Sequence, residues 1–326
     1  MRRTSGAWAR PVVLLIAAWS GSAASEVSLD GSLGGARGPL PGPDFEIGAD
    51  FGRQVGSNLF HSFGAFNLDA RESATFSGPD KINNVLGRVT GGSGSSINGL
   101  LRSTIPDANL FLLNPAGIVF GPSAQLDVQG SFHASTGDFI RLADGSRFGV
   151  VPSANDGLLT AAPPQAFGFL GRQEPAPIEV EGSSLIVPEG NTLSLIGGDI
   201  RVHSAGAELS APAGRVNLVS VGGKAEVSLG LNGLGVEPRG RGGRITLSEG
   251  SLIDTSGEGG GSVFIRGGEF VMDRSEVRSI TLGDKNGGVV SIEAKEIKLR
   301  NGARIGTIAM GAGRAGDVLV EADRIS

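Results

Sequence analysis

The chain has no cysteine and no tyrosine, and only two tryptophans and three histidines in 326 residues. Without cysteine, no disulfide can staple the fold. A cysteine nucleophile, a thiolate zinc site and an iron–sulfur site are excluded for the same reason. None of the histidines, His61, His133 and His203, has a second histidine at metal-ligand spacing. A histidine-based catalytic pair could therefore form only across the fold. Both tryptophans, Trp8 and Trp19, fall near the N-terminus. The rest of the chain lacks the usual anchors for stacking sugars or bases, although phenylalanine can substitute.

Long apolar runs are also missing. The run Val12 to Trp19 follows Arg2, Arg3 and Arg10 and precedes the small residues Ser20 to Ser25. It is far below the roughly 20 residues a spanning helix needs. A charged start, a short apolar core and a small-residue exit describe a secretory signal peptide over residues 1–25. Cleavage is expected after Ala24 or Ser25. The residues after Arg2-Arg3 do not support a twin-arginine signal. Of 28 basic and 33 acidic residues, the leader holds three arginines. Its removal leaves 25 against 33, a net charge of −8. Such an acidic chain is poorly suited to neutralising phosphates, so nucleic acid is not an expected partner. The basic cluster Arg239-Gly240-Arg241-Gly242-Gly243-Arg244 reads as a solvated loop between strands.

What is abundant is glycine, 55 residues against a usual ~7%. There is no Gly-X-Y period, which excludes collagen. The glycines separate short β-type runs, the pattern of an all-β chain with many tight turns. Thirteen of the fifteen phenylalanines lie between Phe45 and Phe169. This predicts a ring-rich first core, with Phe51, Phe60, Phe63, Phe66, Phe76, Phe111, Phe120 and Phe132 in it, followed by an aliphatic one. Each buried ring is worth on the order of 2–3 kcal/mol.

Along the chain, Glu26 to Pro43 reads as an irregular lead-in with one short strand. In Ser57 to Leu68 the alternation places Phe60, Phe66 and Leu68 on one parity, broken by Phe63. Ala124 to Phe132 puts Leu126 and Val128 on one face, Asp127 and Gln129 on the other. Gly78 to Asn84 suits a turn with a brief irregular or helical piece. Ser153 to Pro177 carries four prolines and is expected to be a surface loop pinned by Phe167 and Phe169.

Beyond this the chain repeats. Gly261-Ser262-Val263-Phe264-Ile265 recurs at Gly288 to Ile292 and again at Gly316 to Val320. Gly243 to Leu247 reads as an older copy. The near-even spacing of Gly261, Gly288 and Gly316, with several short strands per unit, is a solenoid signature. No unit buries its apolar face alone, so neighbours stack. With no helical segment in the unit, the stack is a parallel β-helix. The unit starting at Gly316 stops at Ser326, and the chain is therefore expected to be a piece of a longer protein.

Asn109 to Gly121 holds two apolar runs around Asn114-Pro115-Ala116-Gly117. Pro115 presets the second position of a turn, and Asn114 and Gly117 suit its first and last, giving strand, turn, strand. Upstream lie Asn58-Leu59-Phe60-His61-Ser62-Phe63, Gly87-Arg88-Val89-Thr90-Gly91-Gly92 and Ser96-Ile97-Asn98-Gly99. Downstream is Leu126 to Phe132. In this order and spacing the chain resembles the secretion (haemagglutination activity) domain of the filamentous haemagglutinin family, the exoproteins of two-partner secretion. The likeness covers Leu40 to Phe148 and continues over Ala166 to Val227. Two departures stand out. The family's usual Asn-Pro-Asn-Gly is Asn-Pro-Ala-Gly here, and its Asn-Pro-Asn-Leu motif has no match ahead of Val89.

The resemblance implies a right-handed parallel β-helix with an N-terminal cap and extra-helical β-hairpins. It implies a two-partner secretion domain over residues 26–200, followed by a β-helix repeat region over 201–326. It implies recognition by an outer-membrane transporter, export through periplasm and outer membrane, and an adhesin-like role with host or cell-surface receptors. Asn58, His61, Asn109, Asn114, Pro115 and Gly117 are the partner-recognition or folding residues it points to. No catalytic residue, metal, cofactor or small-molecule substrate is expected. The rival is a β-helical polysaccharide-degrading enzyme, which needs clustered carboxylates. The nearest sets, Asp284-Lys285 and Glu293 to Glu296, read as solvated faces. Gly283 to Gly288 lacks the order of a calcium repeat.

Overall fold

The computed structural model describes residues 26–152, 158–230, 235–237 and 242–326. Residues 1–25, with the leader, and 238–241, with most of the basic cluster, lie outside the described residues. Among those described there is no α-helix; a short 3-10 turn spans Ala49–Phe51.

The chain winds as a three-sided parallel β-helix. On the first face, the Asn58–Asn67 strand is followed in space by Asn84–Val89, Asn109–Leu113, Phe132–Ser135, Thr192–Gly197 and Arg215–Ser220. The stack continues through the first halves of Ser262–Asp273 and Val290–Arg300 to Val318–Ile325. A second face runs from Ser95–Ile97 through Ile118–Phe120, Ile178–Glu181, Ile200–His203 and Arg244–Leu247. The second halves of the two long strands complete it. The third face is built in two blocks, Asp44–Ile47 to Gln125–Asp127 and Ser184–Ile186 to Arg304–Ala309. Each coil turns its alternate side chains inward, so a continuous apolar column runs along the axis.

The N-terminal edge is closed. Glu26–Asp30 pairs antiparallel with Asn58–Asn67 and with Arg37–Pro39. The lead-in thus holds two cap strands where one was expected. Outside the first face lies a separate antiparallel sheet built from Phe139–Leu142, Arg147–Gly149, Pro164–Phe169, Ala225–Ser228 and Gly235–Glu237. It buries a second core against the outward side chains of the coil.

This outer sheet overturns three expectations. Pro164–Phe169 is a strand, not a loop. Pro164 is its first residue, opposite a register shift at Leu142, where a missing N–H does no harm. Phe60 and Phe111 belong to the second core, not the column. Finally, it is Phe60 and not Phe63 that leaves the inward set of its strand. Leu59, His61 and Phe63 share one parity. The register shifts opposite Ser28 and Leu29, and Phe66 and Leu68 then point inward on the other.

A fourth correction concerns the repeat. Arg244–Leu247 stacks on Phe270, not on Val263, so Gly243 to Leu247 is no copy of Gly261 to Ile265. The unit beneath Val263 is Arg215–Ser220. Both faces enter their strands through glycine and an alternating apolar run, so local sequence does not tell them apart. Gly78 to Asn84 forms a turn without helix.

One corner recurs as a left-handed residue: Gly182 (φ +69°), Ser204 (+73°), Glu249 (+59°), Arg274 (+50°) and Asn301 (+52°). The ladder places them above one another. Only one of the five is glycine, so glycine content does not mark this corner.

Candidate functional site

The two ends of the Asn109–Leu113 strand carry buried asparagine corners. At its start, Asn58, Asn84 and Asn109 stand in register on three successive coils. Asn84 Nδ2 donates to Asn58 Oδ1 at 2.9 Å, and Asn109 Nδ2 donates to Asn84 Oδ1 at 3.1 Å. Asn109 Oδ1 then accepts the Ser131 N–H at 3.0 Å. At the other end of the ladder, Asn58 Nδ2 donates to the Thr160 and Ala162 carbonyls at 3.1 and 2.8 Å. Asn58 is wholly buried, Asn84 nearly so and Asn109 half-buried. Sequence reasoning found Asn58 and Asn109 but missed Asn84. The signal was present: the separations are 26 and 25 residues, close to the later repeat.

At the end of the strand, Asn114 starts the corner that leads to Ile118–Phe120 on the second face. Its Oδ1 accepts the Ala116 N–H at 3.0 Å, and its own carbonyl accepts the Gly117 N–H at 3.2 Å. Its Nδ2 donates to the Ser93 carbonyl and to Ser95 Oγ, both at 3.0 Å, on the preceding coil. Asn114 has no exposed surface. Pro115 and Ala116 are half-buried. Gly117 sits at φ +112°, in reach of the Pro177 carbonyl, a backbone that a side chain would strain. The two flanking strands do not pair with each other, so this is a corner between faces and not a hairpin.

His61 is a different kind of residue. It points into the column between Phe63 and Phe76 and is fully buried. Neither ring nitrogen has a well-formed hydrogen bond. Burial pushes its pKa down to about 4, against opposing effects of the Phe51 backbone and the Asp50 carboxylate. The ring is therefore a neutral packing element and is not brought together with the asparagines. His133 is also held neutral, at about 3, by burial. It lies 4.5 Å from Phe111 and 2.9 Å from Ser194 Oγ, and Ser194 is buried.

Sequence reasoning also missed a polar knot at the cap. Arg88 is the largest wholly buried side chain. Its Nε donates to Ser62 Oγ at 2.8 Å and its guanidinium to Ser32 Oγ at 2.9 Å and the Gly149 carbonyl. Its carbon centre lies 4.6 Å from the Phe148 ring. Ser62 and Thr90 donate their hydroxyl protons to Asp30, each at 2.7 Å. Burial alone pushes the Asp30 carboxyl up, but bonds from Ser62, the Ser32 backbone and Thr90 hold it below its usual range. Arg88 and Thr90 lie inside the Gly87 to Gly92 motif.

Of the carboxylates weighed as an enzyme's acid cluster, Glu293 and Glu296 are paired with the neighbouring cations Arg266, Lys298 and Arg324. Glu179, Glu181 and His203 bring ligand atoms within 4.8 Å of one another, but Glu179 is paired with Arg201.

The sequence model of the TPS secretion domain matches residues 46–265, more than half of the chain. The chain belongs to this family. As a TPS secretion domain it is part of a two-partner secretion exoprotein, exported through the outer membrane with an outer-membrane transporter as partner. The same fold is seen in the HMW1 secretion domain from Haemophilus influenzae, with a TM-score of 0.54 and 19% identity, over 86% of this chain and 72% of that one. No curated protein sequence matches. The TPS secretion domain described here closes its Asn114 corner with alanine at 116, and no side chain at that position is used in any bond of the corner.

Proposed function

We propose that this domain is the N-terminal secretion module of a large adhesin-like exoprotein. Residues 1–25 act as its leader. The outer-membrane transporter recognises the emerging chain, and the coils from Glu26 onward nucleate β-helix folding outside the cell. Near residue 200 the secretion domain passes into a repeat region, and binding to host or cell-surface receptors belongs to the protein beyond the nucleus. No catalytic role enters this reading, and no observation favours the polysaccharide-degrading enzyme.

One observation carries the reading. The buried asparagine corners and the arginine knot are concentrated in the first coils, beneath the antiparallel cap. Later coils rest on aliphatic stacking, ion pairs and single serine and asparagine bonds, such as Asn217 Nδ2 to Ser194 Oγ and Ser279 Oγ to the Gly261 carbonyl, with no three-coil asparagine ladder among the described residues. Directional polar bonds specify register, and stacking then copies it. Asn114 acts in this scheme while the corner forms, since its side chain is inaccessible afterwards.

The test is secreted yield of the full chain with and without the co-expressed transporter. Equal yields would sink the reading. Asn114→Ala and Asn98→Ala, compared at matched melting temperature, separate a specific role from a stability effect. The specific role predicts a secretion defect for Asn114→Ala that exceeds its loss of stability.

A further inference from the structure

Two buried side chains and one glycine turn of the first two coils are completed by Phe148, Gly149 and Thr160–Ala162. The Arg88 guanidinium donates to the Gly149 carbonyl, 61 residues on, and lies against Phe148. The Asn58 amide donates to the carbonyls of Thr160 and Ala162, 102 and 104 residues on. Gly56, at φ +59°, leaves room for Ala161. A Cβ there would lie 2.4 Å from the Ala161 Cβ. Phe148 also meets Phe60 with ring centroids 5.0 Å apart. The later segment is itself tied together. The Ala143 N–H donates to the Pro163 carbonyl at 2.9 Å, and Ser146 Oγ lies 3.2 Å from Thr160 Oγ1.

We propose that the hairpin Phe139–Gly149 together with Thr160–Ala162 forms a closing clasp: the cap and first two coils lock only once these residues have docked on Arg88, Asn58 and Gly56. The reason is the cost of buried polar groups. Before the clasp docks, Arg88 lacks one of its acceptors and the ring over it, and Asn58 Nδ2 lacks both. A buried donor without its acceptor is expensive, and more so when charged. The coils Asn58–Asn67 and Asn84–Val89 are therefore not a self-sufficient nucleus. The stable unit reaches at least to Ala162. On the proposed function, the transporter must deliver the chain as far as Ala162 before this unit can close. The clasp itself is a property of the folded chain and does not depend on that reading.

The experiment needs no transporter, so its outcome is independent of the secretion test. Native-state hydrogen exchange is measured on the full mature chain. The clasp predicts that amides of Phe139–Leu142 and Arg147–Gly149 open together with those of Asn84–Val89, with protection matched to within about tenfold. Phe148→Ala should lower protection of Asn84–Val89 by about 100-fold. Protection in Ser262–Asp273 and Val290–Arg300 should remain. Phe139→Ala is the control. Its ring lies over Gly168 and under Arg147, on the side of the hairpin away from the coil. It should affect the outer sheet alone. If Phe148→Ala does not fold, the wild-type exchange still decides. A hairpin that opens more than about tenfold more readily than Asn84–Val89, or a Phe148→Ala chain whose first coils keep their protection, overturns the proposal.

Discussion

Asn84 Nδ2 donates to Asn58 Oδ1 at 2.9 Å, across two neighbouring coils and 26 residues of chain. Asn84 is the middle of the ladder, since its own Oδ1 accepts from Asn109. Asn84→Ala should destabilise the chain by about 2–3 kcal/mol, because it strips partners from two buried or half-buried amides at once. Asn109→Ala, at the half-exposed end, should cost about 1 kcal/mol. Urea unfolding of both variants gives the order, and equal costs would dismiss the ladder as a unit.

At the Asn114 corner the backbone and the variable side chain predict opposite outcomes. Gly117→Ala must adopt φ +112° and should cost about 1–2 kcal/mol. Ala116→Asn, which restores the residue usual in the family, touches no bond of the corner and should change stability by less than about 0.5 kcal/mol. Thermal unfolding measures both. A large effect of Ala116→Asn would mean that the corner uses that position after all.

The left-handed corner offers a gain. Arg274 holds φ +50° with only an exposed ion pair to Asp273 in return. Arg274→Gly should stabilise the chain by about 0.5–1 kcal/mol. Asn301→Gly should gain nothing, since asparagine tolerates this conformation and both Asp273 oxygens accept from its amide. Differential scanning calorimetry should show a rise in Tm for the first variant and none for the second.

The two buried histidines make stability depend on pH. Their folded pKa values, about 4 for His61 and about 3 for His133, lie below the unfolded value of 6.5. The unfolded chain takes up protons first, so their contribution is fully present above pH 6.5. It is lost as pH falls toward the folded values. Each histidine should contribute a slope of about 1.4 kcal/mol per pH unit between roughly pH 6 and 4.5. Asp30, whose pKa is depressed, adds to the loss at lower pH, where its carboxylate protonates. Denaturant midpoints at pH 7 and pH 5 should converge in the double variant His61→Phe, His133→Phe. A wild-type midpoint unchanged at pH 5 would contradict the burial of both rings.

The even spacing of Gly261, Gly288 and Gly316 marked the late coils, because each coil must present its apolar residues to the same column. Asn114 and Gly117 were legible because a turn imposes its chemistry locally. Asp30 and Arg88 were not. Each takes its role from partners on another coil or in the cap, far along the chain. An isolated polar residue in a strand carries no mark of what it faces. Phe60 was misplaced for a related reason. Alternation assumes one buried side, and the outer sheet gives its strand two.

The sequence by itself determined the all-β character, the coil length and the corner residues, since glycine, alternation and turn chemistry act between near neighbours. It also ruled out disulfides and thiolate chemistry by composition alone. Tertiary structure alone decided which face each strand joins and which phenylalanines pack outside the column. It alone brought Gly149, Thr160 and Ala162 back to the first coils. Those contacts span 61 to 104 residues, and only the winding of the chain sets which groups meet across such distances.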